Sequence, residues 1–396
     1  MKHAAQLRKE AESIPELSVL GGPLQRLGRR LGLVRGETNT TRLGVALGGL
    51  TWAVLVLLAL GQGFGTRILS LNGIGVHVRL LVAIPLFFVC ETWVGPRIAD
   101  FARSIVRSGL VPEASLPVFA SHIRRITRMA DSWLAEVIAL VVAIGLPLIE
   151  TVTDLPGKTG SWASILHATG GRINWMNGWY LAFCLPLFRF LVLRWLWRLG
   201  LWWYFLWRLR GLELRLIPTH SDGVAGLGYI EIVQEEFAPL VVAISAVYSA
   251  QFAEAVSSGT MPFETLYSLV LLVMLATAIL FVGPLFLFSA KLWICRQTGM
   301  KEYMGMAARY VNAFDRKWIR DDKESDESLL GTADLQSLAD LTNSLNVVRG
   351  MRLIPAEQRL FVVLGIDVIV PMLPLLLLKF PVGQLAARLF QMLTGL

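Results

Sequence analysis

Charge is scarce in this chain. Asp, Glu, Lys and Arg make up 17% of its 396 residues, while 55% are hydrophobic and the mean hydropathy is +0.58. An ordinary soluble domain carries about 25% charge, so water alone is excluded as the solvent. Short alternating segments of the kind that line membrane barrels are lacking, which leaves helices as the expected membrane-spanning elements. Cysteine is limited to Cys90, Cys184 and Cys295, with no CxxC or Cys/His spacing. Neither a disulfide framework nor a zinc site is indicated, and no cofactor is expected. The first 42 residues hold eight Lys or Arg but no clean apolar core or A-x-A site, so they are not read as a cleavable signal peptide.

What is present in abundance is apolar sequence of membrane length. Spans are expected near Leu43–Leu60, Val76–Val94, Trp133–Ile149, Gly178–Leu199, Phe237–Ala255, Leu266–Ala290 and Leu360–Leu378. The fold class is therefore all-α, a polytopic bundle of about seven spans. Basic residues are asymmetric across it: eight before the first span, six from Arg97 to Arg128 and eleven from Lys291 to Arg359 share one side. By the positive-inside rule that side is cytoplasmic, which places the N-terminus inside and the C-terminus in the periplasm of a bacterial inner membrane. The net charge of +8 is explained by these loops and not by a nucleic-acid partner.

Four regions follow: a cytoplasmic basic segment over 1–42, transmembrane helices one to six over 43–295, a cytoplasmic helical hairpin over 296–359, and a last span with an amphipathic C-terminus over 360–396. Gly21–Gly36 interleaves leucine and arginine, the pattern either of a basic helix lying on the inner membrane surface or of a solvated helix, and the residues after Pro381 read as an amphipathic helix on the outer surface. In the hairpin, Tyr303, Ala307, Tyr310, Phe314 and Trp318 form one apolar stripe, and Leu338, Leu341, Leu345 and Val348 a second. The acidic turn between them, Asp321 to Ser328, lacks EF-hand spacing.

Charged residues inside apolar spans mark either a path for ions or fixed helix packing, because burying charge in a bilayer is costly. Arg189 lies roughly 16 Å along the fourth span, close to the bilayer middle, at ~1.5 Å per residue. Its expected partners in an inner-half network are Glu91, Glu136 and Asp367, with Arg194 also assigned to that network. Arg194 and Arg198 are read chiefly as snorkelling anchors beside the tryptophan-rich end of this helix. In the outer half Arg79, together with His77, is expected to meet Glu254. A surface turn over Leu214–Gly228 offers His220 and Asp222 either for acid/base or metal chemistry or as the cap of a glycine-rich turn. Two ligands do not make a metal site, and none is expected.

The stretch Arg215 to Gly228, the segment Leu330 to Asp340 and the span containing Pro371-Met-Leu-Pro374 together resemble a family of uncharacterised bacterial multispan membrane proteins. The family has proline where this chain has Ser221 and glycine where it has Ala225. The resemblance covers most residues after the third span and implies architecture and localisation, with no established activity. Three functions remain open: a channel or transporter for ions or small charged solutes, a scaffold or sensor recruiting a cytoplasmic protein, and a lipid-modifying enzyme. The expected partners are the lipid bilayer, an ion or small solute, further copies of the chain and a cytoplasmic protein.

Overall fold

The computed structural model describes residues 15–34, 40–63, 73–152, 174–320 and 332–379, with the side chains of 146–152 excepted. Among these residues there is no strand. In chain order the helices are α1 (Pro23–Arg30), α2 (Thr41–Gly61), α3 (Ile74–Arg107), α4 (Leu116–Ala130) and α5 (Trp133–Val152). There follow α6 (Trp175–Arg210), α7 (Tyr229–Ser257), α8 (Thr265–Val282), α9 (Ser289–Trp318), α10 (Ala333–Arg349) and α11 (Gln358–Lys379).

Six helical stretches are long and apolar enough to cross a membrane: α2, α3, α6, α7, the run from α8 into α9, and α11. The expected third span corresponds to α5, a 20-residue helix that is apolar over Trp133–Gly145, the part whose side chains are described. Along these helices the large apolar side chains turn outward. Leu50, Leu57, Val141, Leu271 and Ile294 are each at least 63% exposed, which water would not sustain over so wide a belt and lipid does.

Close packing of α2 on α3 depends on two glycines one turn apart. A Cβ on Gly44 would lie 2.7 Å from the Phe88 side chain, and one on Gly48 would lie 2.2 Å from the Leu80 carbonyl oxygen. Small residues let helix backbones approach in lipid, where packing replaces the hydrophobic drive. Gly48→Val is therefore expected to cost about 2–3 kcal/mol through forced separation of the pair, measurable as a lowered melting temperature in detergent.

Prolines shape three of the spans. A wide π turn at Val78–Ala83 precedes Pro85 in α3, and another at Tyr180–Cys184 precedes Pro186 in α6. Proline lacks the N–H and crowds the carbonyl four residues back, and a wider turn relieves both. In α11, Pro371 and Pro374 instead tighten Val370–Leu375 into 3₁₀ geometry before the helix resumes.

α9 runs unbroken from Ser289 to Trp318, so the helix that enters the hairpin continues directly from the sixth span. The hairpin's two expected stripes face each other: Tyr303, Tyr310, Phe314 and Trp318 on α9 and Leu338, Leu341 and Leu345 on α10 are half-buried, and Val348 is buried. The base is tied to the bundle, with Pro218 filling the space beside Gly299 and Thr219 Oγ1 lying 3.3 Å from Tyr303 Oη. The acidic turn at 321–328 and the C-terminal amphipathic segment lie outside the described residues.

α4 lies along α6 with Phe119, His122, Ile123 and Ile126 buried. His122 Nε2 is 2.7 Å from Arg208 Nη2. Burial, then the charges of Arg208 and Arg125, hold its pKa below the ordinary 6.5. The unfolded chain binds this proton first, so His122 costs no stability above the ordinary value and an increasing amount as pH falls through it. Between about pH 7 and pH 5 the wild type is expected to lose more thermal stability than His122→Gln.

Candidate functional site

The charged residues of α3, α5 and α6 converge on one buried cluster. Arg194 Nη1 lies 2.6 Å from Glu91 Oε1, and Arg194 Nε lies 2.9 Å from Glu136 Oε1. Arg198, one helical turn further along α6, places Nη1 2.5 Å from the same Glu91 oxygen and stacks its guanidinium over the Trp195 ring at 5.4 Å. Both arginines are 3% exposed and Glu91 is 1% exposed. The snorkelling reading of Arg194 and Arg198 is thus corrected: their spacing places both on the α6 face that packs inward, where two carboxylates neutralise two guanidinium groups.

Several buried polar atoms in this cluster and further along α6 and the start of α7 have no hydrogen-bond partner among the described residues. They are Glu91 Oε2, Arg198 Nη2, the indole N–H groups of Trp195 and Trp202, and both amide atoms of Gln234. Trp195 packs on Phe237, while Trp202 and Tyr229 share contacts with Phe101, so the antiparallel start of α7 runs beside this face of α6. Buried polar atoms of this kind ordinarily have a partner.

Arg189 and Asp367, expected in the same network, are placed differently. Arg189 is half-buried with Nη1 enclosed, but Glu91 and Glu136 are engaged by Arg194 and Arg198. Asp367 is half-buried on α11, where Ser245 of α7 donates to the neighbouring Val368 carbonyl at 2.5 Å; its Oδ2 has no partner among the described residues.

The outer polar group is assembled at the π turns. Arg79, in the α3 π turn, donates to Tyr180 Oη in the α6 π turn. Glu254 accepts from the Gly75 N–H at 2.7 Å, and Trp52 Nε1 donates to His77 Nδ1 at 2.8 Å. Arg79 and Glu254 thus share a region, but each holds a different partner. Between the outer group and the inner cluster, Phe87 of α3 stacks on Phe188 of α6 with centroids 6.0 Å apart. Arg79 and Glu91 are separated along α3 by roughly 18 Å at ~1.5 Å per residue. The α3–α6 seam therefore reads polar, aromatic, ionic from one end to the other.

At the surface turn, Asp222 accepts from Val224 N at 2.9 Å, from Gly226 N at 3.1 and 3.0 Å, and from Gly228 N at 2.9 Å. Gly223 and Gly226 have φ of 66° and 100°, and Ala225 adopts 57°, a left-handed conformation natural to glycine. Arg352 clasps this loop, its backbone N–H donating to Gly223 O and its Nη2 to Asp222 O, both at 2.8 Å. Arg352, which opens an Arg-Leu-Ile-Pro sequence, thus holds the loop that follows a second copy of that sequence at Arg215–Pro218. His220 Nδ1 lies 2.9 Å from Asp222 Oδ1. With its oxygens directed at backbone N–H groups, Asp222 serves as the keystone of a capped turn. Among the described residues no group of three or more His, Cys, Asp or Glu could hold a metal ion.

The fold and the lipid-facing belt define a multi-pass α-helical membrane protein. Compared with family models, curated proteins and solved structures, the chain matches none of them.

Proposed function

We propose that the protein moves an ion or small charged solute across a bacterial inner membrane, along the seam between α3, α6 and the start of α7. The observation that carries this reading is the order of groups on the seam: Arg79 and Tyr180, then the stacked Phe87 and Phe188, then Glu91 with Arg194 and Arg198. Charged groups inside a membrane bundle are expensive and mark pathways by default. An aromatic constriction between two polar groups has the form of a closed gate. Glu91 Oε2 and Arg198 Nη2, without a hydrogen-bond partner among the described residues, supply interactions for a passing charge.

In this reading the side rich in basic loops is cytoplasmic, the C-terminus is periplasmic, and the family resemblance supports the bacterial membrane. The test is purified protein in vesicles loaded with proton- and chloride-sensitive dyes or potassium. Flux that saturates and exceeds that of empty vesicles is expected, and its absence for all solutes tried would remove the reading.

A scaffold function is the second reading, supported by the hairpin. Met304, Val311 and Leu335 on its outer faces are 51, 48 and 43% exposed, a surface suited to a cytoplasmic protein or a second copy. A lipid-modifying enzyme centred on His220 and Asp222 receives less support. The apolar groove of about 520 Å³ between α5 and α6 is lined by Leu134, Ile138, Leu193 and Trp197 and contains neither residue.

A further inference from the structure

The segment preceding α2 is fastened to the inner cluster at several points. Leu17 and Val19 are buried at 1% and 3% exposure, and Ser18 N donates to Thr127 Oγ1 at 3.2 Å. Gly21 O accepts from Arg194 Nη2 at 3.3 Å, Gly22 N donates to Asp131 Oδ1 at 3.2 Å, and Leu24 N donates to Glu136 Oε2 at 3.0 Å. Gly22 has φ of 98°, and a Cβ there would lie 2.2 Å from Glu136 Oε1. Glycine is required at this point by both conformation and space. Residues 17–24 form a strap whose backbone completes the coordination of Arg194 and Glu136.

The strap leads directly into α1, whose inward side is narrow. Gln25 is buried, and a Cβ on Gly28 would meet Leu43 Cδ2 at 2.7 Å. The outward side is divided lengthwise. Leu27 and Leu31, 52% and 62% exposed, occupy one flank, while exposed Arg26, Arg29 and Arg30 occupy the other, and the helix contains no acidic residue. Arg26 also pairs with Asp131 at 2.9 Å. A helix with leucines on one flank and arginines on the other fits the boundary between acyl chains and anionic headgroups. Nearby Trp133 and Trp197, 62% and 39% exposed, place that boundary at the same level of the bundle.

We propose that α1 binds anionic lipid headgroups and that this binding tightens the strap over the Arg194–Glu136 end of the buried cluster. The chemistry required is a bilayer surface bearing negative charge, with acyl chains to receive Leu27 and Leu31. The inference does not depend on transport, and its test has no flux readout.

Amide hydrogen exchange of the full-length protein is compared in phosphatidylcholine vesicles and in vesicles containing about one third phosphatidylglycerol. Exchange across residues 17–31 is expected to slow on the order of tenfold in the anionic vesicles, with the effect reduced by salt. The start of α5, residues 133–139, is expected to slow with it through Glu136. Arg30→Glu should cut the difference several-fold, as should Leu27→Ser with Leu31→Ser, which alters only exposed positions. Equal exchange in the two vesicle types would overturn the lipid assignment and leave the face to a protein or a second copy. A full wild-type response in Arg30→Glu and in the double serine variant would overturn it equally. Slowing of the strap with no change at 133–139 would overturn the coupling to the cluster.

Discussion

Arg194→Leu is expected to destabilise the protein by about 3–5 kcal/mol, the cost of leaving buried carboxylates without their counter-charge. Arg194 touches both Glu91 and Glu136 and is 3% exposed, so water cannot take its place without opening the bundle. Arg198 retains its contact with Glu91, which leaves Glu136 as the more orphaned acid. Combining Arg194→Leu with Glu136→Gln should therefore recover part of the loss, and adding Glu91→Gln should not recover as much again, because it strands Arg198. Thermal melting of these variants in one detergent separates the cases. A loss below about 1 kcal/mol for Arg194→Leu would show that the arginine is solvated, as at a surface pair.

Asp222→Ala removes the acceptor for three backbone N–H groups in one turn and is expected to cost about 3 kcal/mol at ~1 kcal/mol per bond. Burial alone would raise the Asp222 pKa, but the N–H groups of Val224, Gly228 and Gly226, with the His220 charge, hold it below the usual carboxylate value. A depressed folded value means that the stabilisation is present above the unfolded pKa and disappears as pH falls through the folded one. The difference between wild type and Asp222→Ala should therefore shrink in acid. Asp222→Asn, which keeps one carbonyl acceptor, should fall between the two. Loosening of the hairpin base should accompany the loss, since Arg352 holds this same loop.

Much of the architecture is legible in the sequence because the membrane demands it. Apolar runs of the required length mark the spans, and the stripes at Tyr303–Trp318 and Leu338–Val348 mark the hairpin. Glu91 and Glu136 are legible as acids at similar depth, and the structure finds both around Arg194. Arg194 is legible as a member of that network but less so as the direct partner of both acids: Arg189 stands nearest mid-bilayer by counting residues, but helix rotation, not depth, determines which face meets the acids. The i,i+4 spacing of Arg194 and Arg198 was the available signal, and adjacent tryptophans made it read as an interfacial anchor. Tyr180 as the partner of Arg79, the Phe87–Phe188 stack and the strap at Gly21–Gly22 depend on contacts between distant segments that no local pattern encodes.

In the proposed function the α3–α6 seam is a path closed by the Phe87–Phe188 pair. The most direct measurement is solute flux through proteoliposomes containing Phe188→Ala, beside wild type and Arg198→Gln in the same preparation, each first shown to be folded. Phe188→Ala is expected to raise flux several-fold and Arg198→Gln to lower it. Folded Phe188→Ala and Arg198→Gln proteins with wild-type flux would contradict the proposed path.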